Sequence, residues 1–260
     1  MGLERATVSF TVHATSGGAE KTKWKVLSVD HQANGRHSVA TVAIPEEEVQ
    51  QWDTEIEPDD LIAIKRDTTV IFKGRLLNPT IDWSGSFEEI SGTLYGPEWE
   101  LERAHVEGIH ALVSGGGHEQ LTGVPCIFNP DGVGNKEKDE LEFNNDLTAD
   151  STEREKWDVE SVIKYLVDRF GADVASGIVS YGSTVFPTGA DTFYLPHVDV
   201  NRRTYREAFS ELMERAGYAW KLEPANSLDA QHNLVIQVRG DSTGGTKRKL
   251  YLPASGTAGS

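Results

Sequence analysis

Hydrophobic and polar residues alternate through much of the first hundred positions, as they do in half-buried β-strands. Val8, Phe10 and Val12 alternate with threonine and serine in the first such run. Alternation and short apolar runs predict strands over residues 6–14, 24–29, 38–44, 60–65, 69–77, 81–83 and 87–95. Short strands at this spacing predict a small β-barrel or β-sandwich.

Turn-forming residues separate these runs. Asn34-Gly35 predicts a hairpin, because both residues tolerate a positive φ. The short polar link at residues 66–68 predicts a second hairpin. Gly74 lies inside the run that follows, and it predicts either a β-bulge or the close approach of another backbone.

The apolar period changes to that of an α-helix in the second half of the chain. One helix is predicted over residues 159–170, with a capping box at Thr152–Glu155. A second helix is predicted over residues 205–216, with a capping box at Thr204–Glu207 and Gly217 as its stop. Both apolar stripes are interpreted as core faces rather than as cofactor-binding sites.

These patterns predict three segments. Residues 1–110 form an N-terminal β domain, 111–156 an irregular, loop-rich linker, and 157–260 a mixed α+β domain. Within the linker, the charged stretch 136–156 predicts a solvated loop. The mixed domain has further strands predicted over residues 218–222, 234–239 and 249–252. The predicted fold class is therefore mainly β with α additions.

Composition excludes several classes of protein. The 260 residues are 38% hydrophobic and 25% charged, which is sufficient for a packed core. Cys126 is the single cysteine, so an intramolecular disulfide framework is excluded, and it is interpreted as a buried apolar residue. No run approaches the roughly 20 apolar residues of a membrane helix. The first residues lack the apolar core of a signal peptide, so cytoplasmic synthesis is expected.

Sequence motifs that carry chemistry are missing. The chain has no nucleophile elbow, P-loop, dinucleotide-binding fingerprint or His-Glu-x-x-His pair. His118 beside Glu119 is the nearest approach to a metal-ligand pair. The run around Asp131 is interpreted as a tight turn rather than a calcium loop; whether Asp131 or Glu119 binds an ion stays open. No catalytic, cofactor-binding or metal-binding residue is predicted, no cofactor is expected, and the protein is not expected to be an enzyme.

Six tryptophans are spread along the chain. Trp157 and Trp220 flank the predicted helices and are expected in the core. Trp52 lies in an acidic stretch and is the predicted interface anchor. Trp52 and Trp99 together leave a carbohydrate-binding β module open as an alternative.

An ordered set of short motifs runs from residue 59 to residue 103. An Asp-rich entry leads to a strand, a short turn, the run Phe72-x-Gly74-x-Leu76, and a final strand before Leu101–Arg103. This order resembles the first domain of phage tail hub proteins. The segment 205–217 resembles a helix of the same family, and the segment 123–135 looks like a stretch of tail proteins of this kind.

The resemblance implies a trimer with tube-like β domains, which presents a near-sixfold surface to the hexameric tail tube. The implied partners are other copies of the chain, the tail tube protein, the central spike protein and a tape-measure protein. DNA would pass through the lumen without specific binding. The implied location is the virion tail or baseplate, after assembly in the host cytoplasm. Many hubs are longer, so a complete second tube-like domain and an appended lytic domain are not expected.

The net charge of −16 agrees with a channel wall, because an acidic surface repels nucleic acid. The leading hypothesis is therefore a tail hub that joins the tube to the spike. The alternatives are another tail ring component, such as a tube or distal-tail protein, the carbohydrate-binding module, and a peptidoglycan hydrolase that uses two carboxylates.

Overall fold

The computed structural model describes residues 9–14, 20–33, 36–45, 61–76, 89–146, 153–169, 179–180, 186–226 and 232–238. The predictions at residues 34–35, 81–83 and 249–252, and Trp52, lie outside these ranges. Within the ranges, short strands dominate and three α-helices are present. The predicted fold class, mainly β with α additions, is confirmed.

One six-stranded sheet forms the N-terminal unit. Its strands are β1 (Phe10–Ala14), β2 (Lys25–Asp30), β3 (Val39–Pro45), β4 (Leu61–Arg66), β5 (Thr69–Leu76) and β6 (Glu89–Tyr95). Their order is β1-β4-β5-β6-β3-β2, and every neighbouring pair is antiparallel. The hairpin predicted at residues 66–68 joins β4 to β5, and Asp67 adopts a φ of 55° in its turn.

The sheet curls until its two edge strands approach each other. The Lys21 N–H donates to the Val12 carbonyl over 2.7 Å, and His13 forms an isolated bridge with Glu20. In the ranges given above, β1 and β2 are not paired as neighbouring strands, and these contacts are what joins the two edges. The sheet therefore resembles a barrel that does not close. The enclosed core consists of Val12, Ala14, Trp24, Ala40, Val42, Ile44, Ile62, Ile64, Phe72, Leu76 and Leu94.

Gly74 lies where β5 passes β6. A Cβ atom at this position would lie 2.4 Å from the carbonyl oxygen of Tyr95 and 2.7 Å from a ring carbon of Phe72. The close backbone approach predicted at this glycine is therefore confirmed. The ladder between β4 and β5 also contains a bulge, where the register shifts between Ile64 and Lys65.

The remaining described residues form a second unit. Its helices are α1 (Glu98–Arg103), α2 (Val159–Arg169) and α3 (Tyr205–Ala216). Its strands are β7 (Ile109–Val113), β8 (Gly117–Leu121), β9 (Ile127–Phe128), β10 (Lys136–Glu137), β11 (Phe143–Asn144), β12 (Arg154–Glu155), β13 (Val179–Ser180), β14 (Val198–Asp199), β15 (Tyr218–Pro224) and β16 (His232–Val238). They form sheets in the orders β12-β10-β11-β7-β8, β13-β16-β15 and β14-β9.

The second unit has a separate core, which the faces of α2 and α3 enter as predicted. Val162 and Leu166 contribute from α2, and Phe209 and Leu212 contribute from α3. None of the described helices is both long and apolar enough to cross a membrane. The division at residues 110 and 156 stays a prediction.

The solvated loop predicted over residues 136–156 is wrong for much of its length. The side chains of Lys136, Phe143 and Asn144 are buried, and β10 to β12 lie in this stretch. A hydrogen bond of 2.8 Å from the Glu137 N–H to the Glu142 carbonyl closes the β10–β11 turn. Strands of two residues are too short to show an alternating pattern, which is why the sequence did not reveal them.

The first predicted capping box is also wrong. Glu155 lies in β12, and α2 is capped instead by Asp158, whose carboxylate accepts from the N–H and the hydroxyl of Ser161 over 2.7 and 2.6 Å. The second capping box is confirmed. The Thr204 hydroxyl accepts from the Glu207 N–H over 3.2 Å, and the Glu207 carboxylate accepts from the Thr204 N–H over 3.0 Å.

Helix α1 connects the two units. The carboxylate of Glu98 is buried and accepts from the N–H and the hydroxyl of Ser38, over 3.3 and 3.2 Å, just before β3. Leu101 of the same helix lies in the second core, and Glu102 pairs with Arg206 of α3 over 2.8 Å. The helix is therefore held by contacts on both sides of the junction.

The buried Glu98 predicts a pH-dependent stability. Burial raises the pKa of Glu98 above its ordinary value of 4.5, although hydrogen bonds from its own backbone and from Ser38 oppose the shift. The folded state therefore binds the proton more tightly, and this residue lowers the free energy of unfolding as the pH rises through the window above 4.5. We expect Glu98→Gln to gain stability relative to the native chain between about pH 4 and pH 7 in denaturant titrations.

Glu107→Gln is the control for this prediction, because Glu107 is exposed in the segment after α1. The stability of Glu107→Gln relative to the native chain should stay nearly constant over the same pH range. The prediction would be contradicted if the stability of Glu98→Gln relative to the native chain did not rise between about pH 4 and pH 7.

Candidate interaction surface

A groove of about 900 Å³ lies between the first sheet and β15. One wall comes from β1, β2 and the start of β5, and the other comes from residues 221–224. The walls are joined at one end by a hydrogen bond of 2.9 Å from the Val70 N–H to the side-chain oxygen of Asn226. The groove therefore lies at the junction of the two units.

Two large apolar side chains of the groove are exposed. Leu27 is 57% exposed and Phe10 is 46% exposed. Leu27 is the extra residue of a bulge, since the β2–β3 register shifts between Val26 and Ser28. In the described part of the sheet, β2 is an edge strand with β3 as its one neighbour. Apolar side chains beside an open strand edge are typical of protein-binding surfaces.

Charged residues also line the groove. Arg66 and Lys221 are both in its lining, and Lys221 pairs with Glu223. The chain as a whole carries a net charge of −16. Because Glu223 also lines the groove and offsets the charge of Lys221, Arg66 is the residue that favours contact with an acidic surface, such as that of another copy of this chain.

Among the described residues, Trp99, Trp157 and Trp220 do not line this groove. Trp157 and Trp220 are buried, as predicted. The guanidinium carbon of Arg103 lies 4.6 Å from the ring centroid of Trp99, so this ring has an intramolecular cation–π contact. The predicted anchor, Trp52, lies outside the described residues.

The tight turn predicted around Asp131 is confirmed, and it depends on a residue that the sequence did not single out. Asn129 is buried with a φ of 49°. Its side-chain amide donates to the carbonyls of Trp157 and Leu195 over 2.7 and 3.0 Å, and its side-chain oxygen accepts from the Trp157 N–H over 2.8 Å. One amide therefore holds three segments together.

This amide fixes the position of an aromatic cluster in the second core. The ring centroid of Trp157 lies 5.1 Å from Phe128, 4.9 Å from Phe143 and 5.1 Å from Tyr165. Such edge-on and tilted pairs are favourable beyond the area that they bury.

Cys126 is buried, which confirms its interpretation as an apolar core residue. Burial raises the pKa of its thiol far above the usual range. The reactive thiolate is therefore disfavoured, and this residue has no environment that would activate a nucleophile.

His118 and Glu119 do not act as a pair, because successive residues of a strand point to opposite faces of the sheet. The imidazole Nδ1 of His118 instead contacts the Glu142 carboxylate and lies 3.7 Å from a carboxylate oxygen of Glu140. The hydrogen bond and the charge of Glu142 raise the pKa of His118. Arg169 donates to the other oxygen of Glu142 over 2.6 Å.

No protein-family model matches the chain, and no curated protein matches it. Solved structures do match. The 43 kDa tail protein of prophage MuSo2 from Shewanella oneidensis has a TM-score of 0.51 at 12% identity, over 89% of this chain and 53% of that one. A tail protein from Neisseria meningitidis has a TM-score of 0.49 at 13% identity, over 91% of this chain and 56% of that one.

The chain spans about half the length of the prophage tail protein. The likeness extends over both units described above, because it covers 89% of this chain. The fold expected from the resemblance to tail proteins is confirmed: the chain has the fold of a phage tail protein.

Proposed function

We propose that the chain is a structural component of a tail machine, and that it is the hub that joins the tail tube to the central spike. The observation that carries the proposal is the shared fold with the prophage tail protein, which extends over 89% of the chain. The curled six-stranded sheet is the part that would stack on the tube. The protein acts mechanically, without catalysis and without a cofactor.

Two further observations support this function. The net charge of −16 disfavours binding to a phosphate backbone, as the wall of a DNA channel requires. The groove at the junction combines the open edge of β2 with exposed Leu27 and Phe10. In the proposed assembly this groove contacts a neighbouring copy of the chain, whose acidic surface complements Arg66.

The mass of the assembled particle distinguishes a hub of three copies from another tail ring of six copies. Three copies of the 28.6 kDa chain give about 86 kDa and six copies give about 172 kDa. We expect the smaller particle in mass photometry, and we expect it to bind the tail tube protein encoded with it. A sixfold ring would favour the tube or distal-tail alternative. A monomer at high concentration that does not bind tube protein would contradict the proposal.

Leu27→Asp tests the groove as the contact between copies. A carboxylate in a partly apolar interface should weaken assembly, raising the dissociation constant between copies at least tenfold. The free energy of unfolding should change by less than about 0.5 kcal/mol, since Leu27 is 57% exposed. Val133→Asp is the control, because Val133 is 61% exposed and does not line the groove. Equal loss of assembly in both variants would contradict the proposed contact.

A further inference from the structure

Three potential metal ligands converge beside the β7–β8 hairpin. They are the imidazole of His118 and the carboxylates of Glu140 and Glu142, whose ligand atoms all lie within 4.8 Å of one another. His118 Nδ1 lies 3.7 Å from Glu140 Oε2 and contacts Glu142 Oε2 directly. Ligand bonds of about 2.0–2.2 Å place the donor atoms of a tetrahedral ion roughly 3.3–3.6 Å apart. The separation between His118 and Glu140 is close to this value, whereas an ion would displace the direct hydrogen bond between His118 and Glu142.

Sheet pairing brings these residues together from distant parts of the sequence. In the register, Leu112 of β7 lies opposite His118 of β8 on one side and opposite Asn144 of β11 on the other. Glu142 lies two residues before Asn144, and Glu140 belongs to the turn that joins β10 to β11. The cluster therefore joins the hairpin to this turn.

The surroundings of Glu142 orient its carboxylate toward His118. Arg169 of α2 donates to Oε1 over 2.6 Å, while Oε2 faces the imidazole. Glu142 is buried, so its carboxylate is held in place. Charged or hydrogen-bonding groups behind a ligand commonly orient it in this way at metal sites.

The other two ligands are open to solvent. His118 and Glu140 have side chains that are 47% and 52% exposed, so an ion can enter with its remaining water molecules. One nitrogen and two carboxylate ligands leave at least one position for water or for a group from another molecule. An imidazole nitrogen favours transition ions over calcium and magnesium, which prefer oxygen ligands throughout.

We propose that His118, Glu140 and Glu142 bind a divalent transition-metal ion, with Zn²⁺ as the probe of this class. The ion ties the β7–β8 hairpin to the β10–β11 turn. The site is independent of the proposed hub function, because it is built from residues of one chain.

Isothermal titration of the full chain with Zn²⁺, after treatment with a chelator, tests the site. We expect binding of one ion per chain, and at least tenfold weaker binding for His118→Ala and for Glu140→Ala, since losing an outer-shell partner already costs 10–100-fold at known sites. Ca²⁺ should bind much more weakly than Zn²⁺.

Glu119→Ala is the matched control. It removes the same side chain and the same charge from an exposed neighbour of His118, on the opposite face of β8, and it should leave the affinity unchanged. Three results would overturn the proposal: no Zn²⁺ binding by the native chain, native affinity in His118→Ala and Glu140→Ala, or equal weakening in Glu119→Ala. Far-UV circular dichroism checks that each variant is folded. If His118→Ala does not fold, Glu140→Ala still tests the site, because Glu140 is exposed.

Discussion

Asn129→Ala is expected to lower the free energy of unfolding by about 4 kcal/mol. The variant loses three buried hydrogen bonds to two backbone positions, Trp157 and Leu195. Buried groups left without a partner cost about 1–3 kcal/mol each. Alanine also tolerates the φ of 49° less well than asparagine, at roughly 1 kcal/mol. Denaturant titration, followed by tryptophan fluorescence, measures the loss.

Asp131→Ala separates these two contributions. Asp131 has a similar φ of 53° in the same turn, but it is exposed. Its replacement should therefore cost about 1 kcal/mol, the part due to the backbone alone. Equal losses in the two variants would show that the turn conformation, and not the amide of Asn129, holds the three segments together.

Gly74→Ala should destabilise the N-terminal unit by about 3 kcal/mol. The added methyl group would lie 2.4 Å from the Tyr95 carbonyl oxygen, which is a backbone atom of β6 and cannot rotate away. The ladder between β5 and β6 must then separate, and the core around Phe72 and Leu94 must shift. The midpoint of denaturation by guanidinium chloride reports this loss.

Gly117→Ala is the matched control for Gly74→Ala. Gly117 also lies in a strand without a positive φ, but the nearest contact of its added carbon is at an ordinary 3.6 Å, from Val113. Its stability should change by less than about 0.5 kcal/mol. A Gly74→Ala variant as stable as this control would mean that β5 and β6 move apart at little cost.

Features set by neighbouring residues could be predicted from the sequence. The capping box at Thr204, the stop at Gly217 and the apolar face of α2 each depend on spacings of a few residues. The tight approach at Gly74 was also predictable, because a glycine inside an apolar strand usually marks a place where a side chain does not fit.

Features set by distant residues could not be predicted in this way. The partners of His118 lie 22 and 24 residues further along the chain, whereas its neighbour Glu119 points to the other face. Asn129 belongs to a run of turn-forming residues, and its pattern gives no sign that Trp157 and Leu195 need its amide. The groove is also formed by distant residues, since one wall comes from β1, β2 and the start of β5 and the other comes from residues 221–224.

The burial of Cys126 makes the native chain suitable for site-specific labelling. It is the single cysteine, its side chain is fully buried, and its thiol is held in the protonated form. Because thiolates are the species that react with maleimides, the folded protein should react with them very slowly. A Val133→Cys variant would then offer one fast-reacting thiol on the surface. A dye attached there could count the copies in a particle by stepwise photobleaching, with the native cysteine left in place.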